Sequence, residues 1–74
     1  DDIVIFPNPV NDHIWIDGLM AESKITIIDP TGRSVFTTDT SNEQLVIPIN
    51  FKPGIYIVSI ESALGSRRIK VRIE

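Results

Sequence analysis

An all-β domain, a small antiparallel sandwich of seven short strands, is the fold this sequence predicts, and three observations predict it. Apolar residues recur with period two or in short Val/Ile-rich runs. Those runs are bounded by Gly, Pro, Asn and Asp, the residues that turn a chain. No stretch has helical spacing with a cap: Leu19–Lys24 comes nearest, but it is short and leads straight into a β-branched run, so no helix of useful length is expected. With 74 residues, 42% hydrophobic and 23% charged, the chain reads as one domain with a single core and no room for a second. It has no cysteine, so neither disulfides nor thiolate metal sites help hold it together.

The elements follow in order. Ile3–Phe6 is the first strand, and it must stop at Pro7-Asn8-Pro9, where two ladder donors are missing and both residues before a proline are driven extended. That segment suits a crossing from one sheet to the other. His13–Asp17 alternates Ile14 and Ile16 with polar or aromatic neighbours, and Lys24–Asp29 places Ile25 and Ile27 on one side. Asp29-Pro30-Thr31-Gly32 fits a type I turn, with Asp accepting backbone bonds, Pro presetting φ and Gly closing, which marks a hairpin into Arg33–Thr38. Gln44–Ile49 contains Pro48 and is therefore expected either at an edge or with a late bulge. Lys52-Pro53-Gly54-Ile55 fits a type II turn with Gly54 at positive φ, launching Gly54–Glu61; Ser66–Ile73 is the last strand.

Strand parity assigns the core to Ile14, Ile16, Ile25, Ile27, Leu45, Ile47, Ile49, Tyr56, Val58, Ile60, Ile69, Val71 and Ile73. It also sends Trp15, Ile28, Val46, Ile55 and Ile57 outward, which is either scattered exposure with lateral packing under loops or a patch that docks on a partner or preceding domain.

Chemistry is thinly supplied. A nucleophile–base–orienter set cannot be assembled from one histidine and no cysteine, so no catalytic residue is assigned. His13 and Asp17 on one strand would lie about 13 Å apart, too far for a relay or a shared ligand. The aspartates lack calcium-loop spacing and the four glycines stand singly, so no metal, cofactor or phosphate site is expected. A net charge of −3 speaks against nucleic acid, the longest apolar run of four residues spans no bilayer as a helix, and no basic-then-apolar start reads as a signal peptide.

Charge is unevenly placed. Residues 62–74 hold four bases and one acid, whereas residues 1–61 hold three bases and nine acids. In Arg68-Ile69-Lys70-Val71-Arg72-Ile73 the aliphatics point inward and three cations stand in a row. Such a row either guards an edge strand against pairing or is a strip read by an acidic or backbone-lined receptor groove, with strand addition as the docking mode.

Three segments in this order resemble one family: Phe6-Pro7-Asn8-Pro9; Ile28-Asp29-Pro30-Thr31-Gly32-Arg33; and Gly54-Ile55-Tyr56-Ile57-Val58 leading through Gly65 to a terminal strand with Lys70. The chain is similar to the type A C-terminal sorting domains of the type IX (Por) secretion system of Bacteroidetes, with Pro7, Asn8, Pro9, Asp29, Gly32, Arg33, Gly54, Tyr56, Gly65 and Lys70 on the shared pattern. Phe6 stands where tyrosine is common, and Arg68 and Lys70 compete for the basic position of the tail.

The resemblance implies a seven-stranded immunoglobulin-like sandwich at the end of a longer secreted precursor, Asp1-Asp2 then being a point of excision. It implies an address label for a folded N-terminal cargo passing from the periplasm to the cell surface or beyond. The implied partners are the outer-membrane translocon, its shuttle protein and a sortase that cuts ahead of the domain, with no cofactor and no small-molecule substrate. The domain is then a substrate, not an enzyme. The recognition residues expected on this basis are Arg68, Lys70 and Arg72, with the turn at Gly54. A competing reading is a cell-surface adhesive or carbohydrate-binding module using Trp15 and Tyr56, against which Tyr56 shares the core parity of Val58 and Ile60. A third is a structural spacer, which unlike a sorting module could sit anywhere in a polypeptide.

Overall fold

Ile, Val and Thr are stiff at χ1 and fit a pleated surface, so the β-branched runs of this chain settle as strands. The computed structural model describes residues 3–74, and among these no helix forms. The strands are β1 (Val4–Phe6), β2 (His13–Asp17), β3 (Ser23–Ile28), β4 (Ser34–Thr40), β5 (Gln44–Pro48), β6 (Gly54–Ser62) and β7 (Gly65–Ile73). Each expected strand is present, its ends displaced by no more than two residues. Asp1-Asp2, read above as an excision point, lies outside the described residues.

Two antiparallel sheets face each other, a three-stranded one in the order β1-β2-β5 and a four-stranded one in the order β4-β3-β6-β7. The fourth strand thus lies beside the third, whereas in a constant-type immunoglobulin domain it joins the first sheet. Pro48 ends β5 on an edge, where a missing N–H removes no needed bond.

The β3–β4 connection shows what its residues do. Gly32 N–H donates to the Asp29 carbonyl (2.9 Å) and Asp29 N–H to the Arg33 carbonyl (2.8 Å), a type I turn closed by Gly32 at φ 90°. A Cβ at Gly32 would meet nothing within 4 Å, so glycine is required there for conformation alone. A bulge opposite Ile27/Ile28 then lets the adjacent Val35 and Phe36 both pack on the core.

The crossover is as expected. After β1 the chain leaves the three-stranded sheet through Pro7-Asn8-Pro9, whose two X-Pro bonds are cis, and Val10 forms a parallel bridge with Ile73 of the other sheet.

The core is built from the inward parity of β2, β3, β5, β6 and β7: Ile14, Ile16, Ile25, Ile27, Ile47, Tyr56, Val58, Ile60, Val71 and Ile73 are all buried, with Ile49 just beyond β5. Leu45 and Ile69, also expected inside, are only half-buried; both lie on edge strands, where one lateral neighbour is missing, although Ile47 and Val71 on the same strands are fully buried. Val10 and Leu19 join the core without having been assigned to it. Leu19, in the stretch that came nearest to helical spacing, lies instead in an irregular connection, its N–H donating to the Glu43 carbonyl (3.0 Å).

Candidate functional site

The basic row lies on β7, at the edge of the four-stranded sheet. Arg68, Lys70 and Arg72 alternate with the inward Ile69, Val71 and Ile73, and all three cations are exposed. On the outer face they stand opposite Ser59, Ile57 and Ile55 of β6, so Lys70 and Arg72 flank an aliphatic strip whose end, Ile55, is 46% exposed. This leaves some of the outward apolar surface that parity required beside positive charge.

One end of the sandwich gathers the motif residues. The Asn8 side-chain oxygen accepts the Arg72 N–H (3.1 Å), Val10 N–H donates to the Arg72 carbonyl (2.7 Å), and Glu74 N–H donates to the Val10 carbonyl (2.9 Å). The Pro-Asn-Pro segment therefore clamps the last strand. Its two prolines donate nothing, so the single side-chain amide between them is the polar group left to reach across. Ile55 pairs with Arg72 and Gly54 with Ile73, which brings the β6 turn to the same end. The Arg72 guanidinium also approaches Glu74, Nε to Oε2 3.4 Å, in solvent.

Gly54 departs from the expected type II geometry. Its φ of 159° is positive, as expected, but nearer extended backbone than that turn type requires; a side chain is strained there, and a Cβ would in addition lie 3.0 Å from Cγ of Pro30. The Asp-Pro-Thr-Gly and Lys-Pro-Gly-Ile turns, far apart in sequence, thus touch through Pro30 and Gly54. Tyr56 is 4% exposed and donates its hydroxyl to the Lys52 carbonyl (2.7 Å), while its ring stacks on Phe51 at 5.6 Å. This is the bonding pattern of a tyrosine corner, tying a strand start to the backbone just upstream. Tyr56→Phe keeps the stack and loses the bond, so a destabilisation of about 1 kcal/mol is expected. Thermal unfolding should then show a midpoint lower by about 4–8 °C; an unchanged midpoint would remove this role from the hydroxyl.

Asp29 organises the neighbouring turn. One of its oxygens accepts the Thr31 hydroxyl (2.6 Å), the Thr31 N–H (2.9 Å) and the Arg33 N–H (2.9 Å). The Thr31 hydroxyl first, then the Arg33 N–H, hold this carboxyl below its ordinary value of 3.8. A depressed folded-state value means stabilisation that is complete above 3.8 and is lost as pH falls through the folded value. The midpoint difference between the wild type and Asp29→Asn should therefore be constant near neutrality and shrink below pH 3.8. A difference that stays flat to strong acid would contradict this account.

The remaining candidates lie elsewhere. Gly65 is at the opposite end, on the β6–β7 hairpin, beside a cavity of about 250 Å³ lined by Ile3, Leu19, Met20, Ile60 and Leu64, with Arg67 the one charge among the described residues that line it. His13 is exposed and donates from Nδ1 to Asp12 (3.0 Å). Among the described residues no group of His, Asp and Glu is placed to hold a metal. Trp15 does not share a platform with Tyr56, which is buried; it stacks instead on Phe6 at 6.1 Å, with Val46 on its other side, in one exposed row across the three-stranded sheet.

Fold and site together define an immunoglobulin-like β-sandwich whose distinguishing chemistry lies on its surface, along its last strand and the turns that clamp it. The pattern of the secretion system C-terminal sorting domain matches residues 4–74, and the chain belongs to this family of the type IX (Por) secretion system. That family consists of sorting signals and is not an enzyme family. A solved structure described as PorZ, an essential bacterial surface component of the type-IX secretion system of Porphyromonas gingivalis, is similar in fold, with a TM-score of 0.81 at 22% identity over 97% of this chain. This chain spans 11% of the length of that one. Among curated proteins none matches.

Proposed function

We propose that this chain is one sorting module of a longer precursor and serves as the label by which a folded N-terminal cargo is exported. The cargo folds in the periplasm, and the outer-membrane translocon and its shuttle protein then read the module. A sortase cuts ahead of it and leaves the cargo at the cell surface. The module itself is a substrate of this machinery.

The observation that carries this reading is the row Arg68, Lys70 and Arg72, exposed on an edge strand whose end is clamped by Asn8 and Val10 and adjoined by Gly54. A label read after folding must offer a surface, and this one is held in a fixed geometry by the family's own motif residues. The aliphatic Ile55 and Ile57 beside the cations supply apolar area next to the charge, as docking surfaces do. Fusing residues 1–74 behind a periplasmic reporter in a bacterium with the type IX system should carry the reporter to the cell surface. Retention of the folded fusion in the periplasm would overturn the reading.

A further inference from the structure

We infer that the open edge of β7, from Ser66 to Lys70, accepts an extended acidic segment of a partner protein as an added strand. This rests on the proposed role of the basic row and gives it a partner chemistry. The order β4-β3-β6-β7 leaves β7 paired on one side only. In an antiparallel ladder, residues alternate between exchanging both backbone bonds with the partner strand and turning both groups away from it. Arg72 sets the phase: its N–H goes to Asn8 and its carbonyl to Val10, both outside the β6–β7 ladder. Lys70, Arg68 and Ser66, at successive steps of two, therefore also turn N–H and C=O to the open side. Among the described residues, no backbone hydrogen bond outside the ladder reaches them.

The edge already takes backbone pairing at its other end, where Val10 forms a single parallel bridge with Ile73. The crossover stops there, and the open stretch of residues 66–70 is about 17 Å long, enough for a short strand. The chemistry of the occupant follows from the side chains. On the outer face an added strand presents every second residue opposite or diagonal to Arg68, Lys70 and Arg72, where carboxylates gain and cations lose. A second copy of this chain fits poorly. Two β7 edges would set cations against cations, β1 and β5 hold no charged residue, and β4 offers only Asp39.

The probe is a synthetic octapeptide of alternating glutamate and valine, titrated into the isotope-labelled chain and followed by amide NMR. The Ser66, Arg68 and Lys70 amides should shift downfield and their hydrogen exchange should slow about tenfold at saturation. The amides of Arg67 and Ile69, already bonded to β6, should keep their exchange rates, and a lysine–valine peptide should do neither. Arg68→Ser removes one cation, whereas Arg68→Pro also removes one outward N–H but no bond to β6, and should weaken peptide binding several-fold further. The Val71 amide reports whether that variant folds; if it does not, the wild-type titration decides. Unchanged exchange at Arg68 and Lys70, or equal binding of the lysine peptide, overturns the inference. If export fails when the three cations are replaced while these amides ignore the acidic peptide, strand addition falls and the label reading stands. Edge pairing together with normal export of that variant would instead remove the basic row from export while strand addition stands.

Discussion

Replacing Arg68, Lys70 and Arg72 together by serine is expected to abolish surface delivery of a fused reporter while leaving the domain folded. The fold should survive because nothing inward changes: Ile69, Val71 and Ile73 keep their places, and the bonds that clamp the end of β7 come from the Arg72 backbone, which serine retains. Among the described residues the one side-chain ion pair lost is Arg72–Glu74, with an Arg72 side chain 66% exposed, and such pairs contribute about 0–1 kcal/mol. The midpoint of thermal unfolding should therefore move by only a few degrees, roughly what that contribution implies. Recognition is affected differently. The variant lowers a net charge of −3 by three more and erases the positive field on the edge that an acidic receptor would meet. Surface labelling of intact cells alongside a periplasmic extract reads the outcome directly, and normal delivery of a folded triple variant would remove the basic row from the mechanism.

The largest stability effect is expected at Ile27, fully buried on β3, an interior strand of the four-stranded sheet, where alanine should cost about 2–5 kcal/mol through lost burial and the cavity left behind. A chain of 74 residues has only about 4–11 kcal/mol to lose, and this one has no disulfide to limit its unfolded state. Its unfolding midpoint should drop by about 10–30 °C. Ile55→Ala deletes the same atoms from a side chain 46% exposed on the outer face of the same sheet and should cost well under half as much. Equal losses at the two sites would mean that the assignment of inner and outer faces is wrong.

Most of the fold was legible because its determinants are local. Period-two alternation specifies which side of a strand is buried, and a one-residue error would invert every side chain, so parity alone placed Ile25, Ile27, Val58 and Val71 correctly. Turn chemistry is equally local: Asp29-Pro30-Thr31-Gly32 makes its hairpin from its own hydrogen bonds. Where the reading failed, a distant partner decided. Val10 is buried because the crossover delivers it to Ile73, and Leu19 because Glu43 holds its backbone. The Pro30 ring that crowds Gly54, whose positive φ was expected, likewise comes from a remote turn.

The candidate surface divides in the same way. That three cations of the last strand share a face was already decided by the alternation of Arg68 through Ile73. That Asn8 would cap Arg72, and that two remote turns would meet beside it, was settled only by the packing of one sheet on the other. Side-chain parity is a property of a chain and its two-residue repeat, written into adjacent positions. Lateral neighbours are properties of the folded whole, and an edge exists only once the order of strands has left one side of β7 without a partner.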